Sequence, residues 1–305
     1  MTTTATRPQV VSGRAELTSA VREARATSRR IIFVPTMGAL HEGHLSLVAA
    51  ARDQAGPDGL ICVSVFVNPL QFGEGEDLDA YPRTLDADID ALAAAGVDLV
   101  WTPDVADVYP EPDSGISVHP GPLGSELEGA VRPTHFAGVL TVVATLLGVV
   151  DPDVLVLGEK DYQQLVLIRT MVRSLVLGVE VLAVPTHRED DGLARSSRNR
   201  YLSAGERELA AVVPRALRRG ADAAGEGRQA VVDAVVETLD VDGVHVDYVA
   251  LRTPDLRSEA ESGPARLLVA ARIGRTRLID NVALQLPPAT ALAAAAHSRN
   301  VEEIS

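Results

Sequence analysis

The sequence predicts a doubly wound parallel α/β sheet followed by a smaller α+β domain. Two observations carry this. Apolar, β-branched runs alternate with segments of helical spacing about five times up to Pro185, the pattern of a parallel sheet with right-handed crossovers. Beyond Pro185 a charged loop leads to two helices and then to three strand-like runs, the pattern of a separate antiparallel sheet. At 305 residues and 46% hydrophobic content the chain is long enough for two domains and apolar enough to fill their cores.

Residues 13–28 place apolar side chains at helical spacing, and a strand over 31–34 feeds a loop that runs to His44. The helix from His44 continues through LSLVAAARDQ and stops at Gly56-Pro57, where a helix does not readily continue. LICVSVFVN (60–68) is an unbroken apolar run of the kind buried on both faces of a parallel sheet. It ends at Asn68-Pro69, so Gln71 falls just past a strand's C-terminal end, the edge where doubly wound sheets bind ligands. A helix over 85–95 and a strand over 97–102 follow. Residues 103–134, rich in Pro, Gly and acidic groups, form a long connection, expected to be disordered or to act as a lid. Then come a helix over 136–149, a buried strand within DPDVLVLG (151–158), a helix over 161–176 and a strand over 179–185. The strand before Gly158 delivers Gly158, Glu159, Lys160 and Asp161 to the same edge as Gln71.

The first domain is therefore expected over 1–185, Rossmann-like, and the second over 186–305. In the second, Ser203 to Glu206 has the spacing of a capping box and opens a helix that Pro214 should kink or split. A helix over 228–239 precedes VHVDYVALR, ARLLVAARI and TRLIDNVAL, with a tight turn expected at Gly274 to Thr276. These make a three-stranded antiparallel sheet. The Pro- and Ala-rich tail from about 288 is expected to fray.

Composition excludes several functions. A formal charge of -14 and a pI near 4.9 argue against binding a long polyanion, so no nucleic-acid partner is expected. Cys62 is the single cysteine and sits in an apolar run, which suits a core thiol in a reducing compartment. The N-terminus lacks the apolar region of a signal peptide, and GVLTVVATLLGVV (138–150) falls short of the ~20 residues that span a bilayer. A soluble cytoplasmic protein without a membrane partner is the expectation.

The stretch RRIIFVPTMGALHEGHL (29–45) is the first candidate site, because a strand feeding a loop that opens a helix points unpaired N–H groups at an anion. Gly38 to Gly43 has the glycine spacing of a P-loop, but His44 and Leu45 stand where Lys and Ser or Thr are needed. His41, Glu42 and His44 give H-E-x-H, one residue short of the zincin spacing. What remains is two imidazoles three apart at a helix start, able to donate N–H groups to phosphate oxygens, unless one of them is a cap or surface residue. Lys160 opens a helix at a second strand end, Gln71 and Gln164 offer neutral amides, and Arg188, Arg195, Arg198 and Arg200 form a basic loop in an acidic chain. Cations and amides without an obvious base suit attack of a carboxylate on the α-phosphate of ATP. Lys160, Arg198 and both histidines would supply positive charge, and Mg2+ would bridge the phosphates. The acidic residues around Asp86 and Asp88 do not form a metal cluster, so no direct protein ligand for the metal is expected.

FVPTMGALHEGH, FVNPLQF, YPRT, GEKDYQQ and SSRNRYLS, spread over most of residues 30–205, together resemble the pantothenate synthetase family, within the nucleotidyltransferases that carry a HIGH-type motif. The resemblance implies ATP-dependent joining of (R)-pantoate to β-alanine through a pantoyl adenylate, giving pantothenate, AMP and pyrophosphate. It implies ATP contacts from Met37, Gly38, Ala39, Leu40, His41, Glu42, Gly43 and His44, with His44 as the proton donor, and from Gly158, Glu159, Lys160 and Asp161. Gln71 and Gln164 would bind pantoate, Gln71 would also border β-alanine, and Asn68, Tyr81 and Arg132 would line the pocket. Arg195, Ser196, Ser197 and Arg198 match a mobile loop over the triphosphate, and His187 would reach adenine through its backbone. Arg195 stands where the family has Met or Leu, and His187 where a small apolar residue is common. A homodimer through the first domain is also implied. The rival readings are an adenylyltransferase that passes AMP to another small acceptor, and a nucleotide sensor without turnover.

Overall fold

The computed structural model describes residues 7–73, 76, 78–111 and 114–288. The tail expected to fray lies almost wholly outside them. The chain divides into two compact units, one ending at His187 and one starting at Arg188.

The first unit is a parallel sheet wrapped by helices. In chain order it contains β1 (Gln9–Val11), α1 (Arg14–Ala26), β2 (Ile31–Thr36), α2 (Glu42–Ala55), β3 (Leu60–Val65), α3 (Leu85–Ala94), β4 (Leu99–Trp101), α4 (Val105–Val108), α5 (Glu128–Val131), α6 (His135–Val150), β5 (Val154–Gly158), α7 (Tyr162–Ser174) and β6 (Glu180–Val184). The six strands lie in the order β1-β4-β3-β2-β5-β6, and every neighbouring pair is parallel. Ile31, Ile32, Phe33 and Val34 of β2 and Ile61, Cys62 and Val63 of β3 have no exposed surface, as an unbroken apolar run in a two-sided sheet requires. Burial pushes the Cys62 thiol up to about 12, which keeps it an inert core side chain.

The order contains one reversal. From β2 the chain crosses to β3 on one side, and β5 later joins β2 on the other. The two crossovers diverge, which leaves a crevice outside the C-terminal ends of β2 and β5. β1 was not foreseen: Gln-Val-Val is too short to show a period, and it is held by pairing with β4 and by the Trp101 indole, which donates to the Ser12 carbonyl at 3.0 Å.

The described part of 103–134 is held by hydrogen bonds, contrary to the expectation of disorder. Gln163 is buried, donates to the Leu123 and Glu126 carbonyls (2.8 and 2.9 Å) and accepts from the Glu128 N–H (3.0 Å). Val118 N–H reaches the Thr141 hydroxyl at 2.9 Å, and the Tyr109 hydroxyl donates to Asn68 at 2.8 Å. Polar groups of α6 and α7 thus satisfy a segment that has little regular structure of its own.

In the second unit, α8 (Ala204–Ala210), α9 (Val212–Asp222) and α10 (Arg228–Leu239) pack on β7 (Val244–Arg252), β8 (Gly263–Ile273) and β9 (Thr276–Leu286), an antiparallel sheet in that order. The Ser203–Glu206 box forms, with Ser203 N–H donating to the Glu206 carboxylate (2.7 Å) and Glu206 N–H to the Ser203 hydroxyl (3.4 Å). The break between α8 and α9 falls just before Pro214, whose missing N–H is tolerated in a first turn. Gly274, at φ +55°, makes the two-residue turn between Ile273 and Thr276. Among the described residues no helix is long and apolar enough to cross a membrane.

One close approach positions the site. A Cβ added at Gly138 in α6 would overlap the Leu70 carbonyl, so only glycine lets α6 lie against the turn that carries Gln71. Gly138→Ala should lose about 1–3 kcal/mol of stability, measured by urea unfolding. An unchanged midpoint would show that this contact is loose.

Candidate functional site

Between β2 and α2 the chain turns sharply through Met37 to His41. Thr36 starts the turn, donating its hydroxyl to the Ser64 carbonyl (2.7 Å) and accepting the Gly38 N–H (3.3 Å). Gly38 and Ala39 then both take left-handed backbone angles, with φ of +80° and +50°. Glycine does this freely; alanine does so only where its surroundings enforce it. What enforces it is Asp88, a residue set aside in the sequence reading, whose carboxylate accepts the N–H groups of Ala39 (3.0 Å) and Leu40 (2.8 Å).

The helix that follows starts with the two histidines in unequal roles. His41 is the N-cap of α2 and its carbonyl accepts from His44 and Leu45, while His44 lies in the first turn. The His41 backbone N–H donates to His44 Nδ1 at 3.3 Å, so the proton of a neutral His44 sits on Nε2. The rings are tilted by 34° with centroids 4.1 Å apart. Removal from water, then the His41 ring, and to a smaller extent Lys160, hold the His44 pKa down at about 3, and Asp161 opposes them only in part. This goes against the expectation that His44 supplies positive charge. In its neutral form His44 presents an Nε2–H donor.

Lys160 supplies positive charge close by. β5 ends at Gly158, and a single tight turn, Glu159–Asp161, leads into α7. The Lys160 ammonium lies 3.4 Å from the Asp161 carboxylate and close enough to His44 to act on its titration. The two strand ends at the reversal therefore converge: an imidazole N–H and a helix start from β2, an ammonium from β5. Leu47 of α2 packs close to where a Gly158 side chain would point, so the two ends are in van der Waals reach. Gln164 lies in the first turn of α7, partly buried.

Gln71 ends the short turn Pro69–Gln71 after β3. Its amide is pinned from both ends, Nε2 donating to Met37 Sδ (2.8 Å) and Oε1 accepting from Asn68 Nδ2 (3.2 Å). Asn68 is fully buried and also donates to the Gly138 carbonyl at 3.2 Å. The Gln71 carbonyl accepts from Arg132 Nη2 (3.2 Å) and from His135 Nδ1 (2.9 Å). Arg132 is itself fixed by Glu76 (2.8 and 2.6 Å), and its guanidinium holds the Glu76 carboxyl below the usual range. Burial, helped by the Arg132 charge, also lowers the His135 pKa. Tyr81 is buried against the edge of Phe72, with centroids 6.0 Å apart. His135, outside every motif, and Gln163, inside GEKDYQQ but assigned no role there, were both missed; each acts on backbone groups of distant residues.

His187 is exposed at the end of the first unit. In the second unit, Ser196 caps the turn Ser197–Tyr201 by accepting the Arg198 N–H at 3.3 Å. The basic loop is less basic than its sequence suggests. Arg188 is paired with Asp280 at 2.6 and 3.0 Å, so it anchors the loop to β9 instead of joining Arg195 and Arg198. Asn199 braces the same loop through Glu189 and the Ala194 carbonyl, both at 3.1 Å.

The low His44 pKa has a consequence for stability. Folding takes His44 from 6.5 to about 3, so between those values the unfolded chain holds the extra proton and stability falls as pH falls. Each unit of pH below about 6.5 should cost up to about 1.4 kcal/mol through this residue. His44→Asn should flatten that part of the slope in urea titrations between about pH 7 and about pH 5; an equally steep profile would contradict a neutral His44.

Comparison with known proteins agrees with this geometry. The family model described as pantoate-beta-alanine ligase matches residues 9–283. A pantothenate synthetase from Mycobacterium sp. (strain KMS) is 56% identical over 272 residues, covering 89% of this chain and 86% of its own length. The crystal structure of pantothenate synthetase from Thermus thermophilus superimposes with a TM-score of 0.83 at 47% identity, covering 92% of this chain and 100% of that one. That of the Francisella tularensis ligase, complexed with β-γ ATP and β-alanine, gives 0.75 at 34% identity, covering 90% and 97%. The parallel sheet with its reversal at β2 and β5, the histidine-bearing helix start and these relatives lead to one conclusion: the chain belongs to the pantoate-β-alanine ligase family, the pantothenate synthetases, and is a ligase that condenses pantoate with β-alanine.

Proposed function

We propose that this ligase uses ATP in two steps through a pantoyl adenylate. In the first, the pantoate carboxylate attacks the α-phosphorus of ATP; the new O–P bond forms as the bond to pyrophosphate breaks. In the second, the β-alanine amine attacks the acyl carbon, AMP leaves, and the amide of pantothenate is formed. The observation that carries this reading is the convergence of a helix start, the neutral His44 N–H and the Lys160 ammonium where β2 and β5 end, with the pinned amide of Gln71 touching the same loop through Met37. A carboxylate is already a nucleophile at neutral pH, so the first step needs positioning and charge stabilisation and no protein base.

In this reading Met37 to His44 and Gly158 to Asp161 hold ATP, His44 Nε2 donates to phosphate, and Lys160 balances charge developing on it. Arg195, Ser196, Ser197 and Arg198 add contacts to the phosphates, with Arg198 supplying charge, and the His187 backbone takes adenine. Gln71 and Gln164 hold pantoate, and Gln71 also borders β-alanine. Asn68, Tyr81 and Arg132 shape the pocket by holding Gln71 and its neighbours. The first unit would then be the nucleotide- and pantoate-binding domain and the second a lid domain. Magnesium enters as part of the MgATP substrate; among the described residues no group of three or more acidic, His or Cys side chains could hold a metal ion by itself. Work as a homodimer through the first unit, in a reducing cytoplasm that suits the lone buried Cys62, completes the proposal.

Isotope exchange separates the steps. Exchange between ATP and pyrophosphate should require pantoate but not β-alanine, and AMP should be released on adding β-alanine; exchange that needs β-alanine would rule out a free-standing adenylate. Lys160→Ala should lower kcat by about 10²- to 10³-fold with the fold retained. A turnover within about twofold of the parent would remove Lys160 from the mechanism. Light scattering reads the assembly, for which a monomer at working concentration would contradict the dimer.

A further inference from the structure

Asp88 is a buried carboxylate, 3% exposed, beneath a loop proposed to receive the most negatively charged substrate in the reaction. A negative charge there works against the substrate unless it does something else. Its contacts say what. Both oxygens are engaged by the turn: Oδ2 takes the Ala39 N–H at 3.0 Å and Oδ1 the Leu40 N–H at 2.8 Å. The Thr84 hydroxyl, at the start of α3, donates to the same oxygens at 3.2 and 3.3 Å. The carboxylate also fills the space beside Gly38, where an added Cβ would lie 3.0 Å from Oδ2. Two successive left-handed residues, one of them alanine, are thus held by a single rigid acceptor reaching across from another helix.

We propose that Asp88 is a positioning residue for the ligation. By clamping the Gly38–Leu40 turn it sets the angle at which α2 leaves the sheet, and through that the direction of the His44 Nε2–H and of the first N–H groups of the helix. Asp88 touches no substrate; it acts through the loop. The inference rests on the reading that this loop holds the phosphates of ATP.

Asp88→Asn tests it, because Asn keeps the shape and one acceptor but turns an NH2 group toward a backbone N–H. The expected result is a loss of about 10²-fold in kcat/KM for ATP, with the KM for β-alanine moving by less than about twofold. Thr84→Val, at an exposed position, should give a smaller loss in the same direction. A glycine at 39 adopts the left-handed conformation without the clamp, so the Asp88→Asn, Ala39→Gly double variant should regain part of the loss. A purely structural Asp88 would lower the melting temperature and leave kcat/KM of the folded enzyme and its response to Ala39→Gly unchanged, and that result overturns the proposal. His44→Ala, assayed alongside, separates the two layers. If it weakens kcat/KM for ATP while Asp88→Asn does not, the clamp is wrong and the ATP reading stands; if neither changes it, the ATP reading has failed as well.

Discussion

The reversal of strand order at β2 is the constraint on which the rest depends. With β3 on one side of β2 and β5 on the other, the crossover connections part above the β2 and β5 ends, which is where doubly wound sheets leave a crevice. A helix N-terminus at such an edge favours an anion. A family of ligases that acts on two carboxylic acids and a nucleotide has use for such a place.

Within that crevice the groups divide the work by charge. Burial holds His44 toward its neutral form, Lys160 brings a positive charge close by, and Gln71 is held through its side-chain amide by Met37 and Asn68 and through its backbone carbonyl by Arg132 and His135. A neutral donor has an advantage here. Under the proposed mechanism it would add a directional hydrogen bond to a transition state whose charge sits on phosphate oxygens. The supports are as ordered as the donors. Asp88 fixes the loop from α3, His135 and Arg132 fix Gln71 from the α6 end, and Gly138 lets α6 come close enough to do so.

Much of this was legible in the sequence, for reasons that can be named. β2, β3 and β5 are unbroken apolar runs, so their existence and the edge they share could be read, and with them the placing of His41, His44, Gln71 and Lys160. The Ser203 capping box, the split before Pro214 and the Gly274 turn follow local rules and formed as read. Three things escaped. β1 is too short to show a period and exists because β4 offers it an edge. The roles of Asp88, Gln163 and His135 depend on backbone groups between 35 and 64 residues away, which no local pattern reports. The charge of His44 depends on how much water reaches it, and Arg188 is paired with Asp280, 92 residues on, where spacing alone put it in a basic patch.

The central claim is that a helix start and a lysine from two diverging crossovers form one phosphate cradle. A crystal structure of the chain with a non-hydrolysable ATP analogue tests it most directly. The account predicts phosphate oxygens within about 3 Å of His44 Nε2, of the first N–H groups of α2 and of Lys160 Nζ. A nucleotide bound away from the β2 and β5 ends, with both of those groups facing solvent, would contradict it.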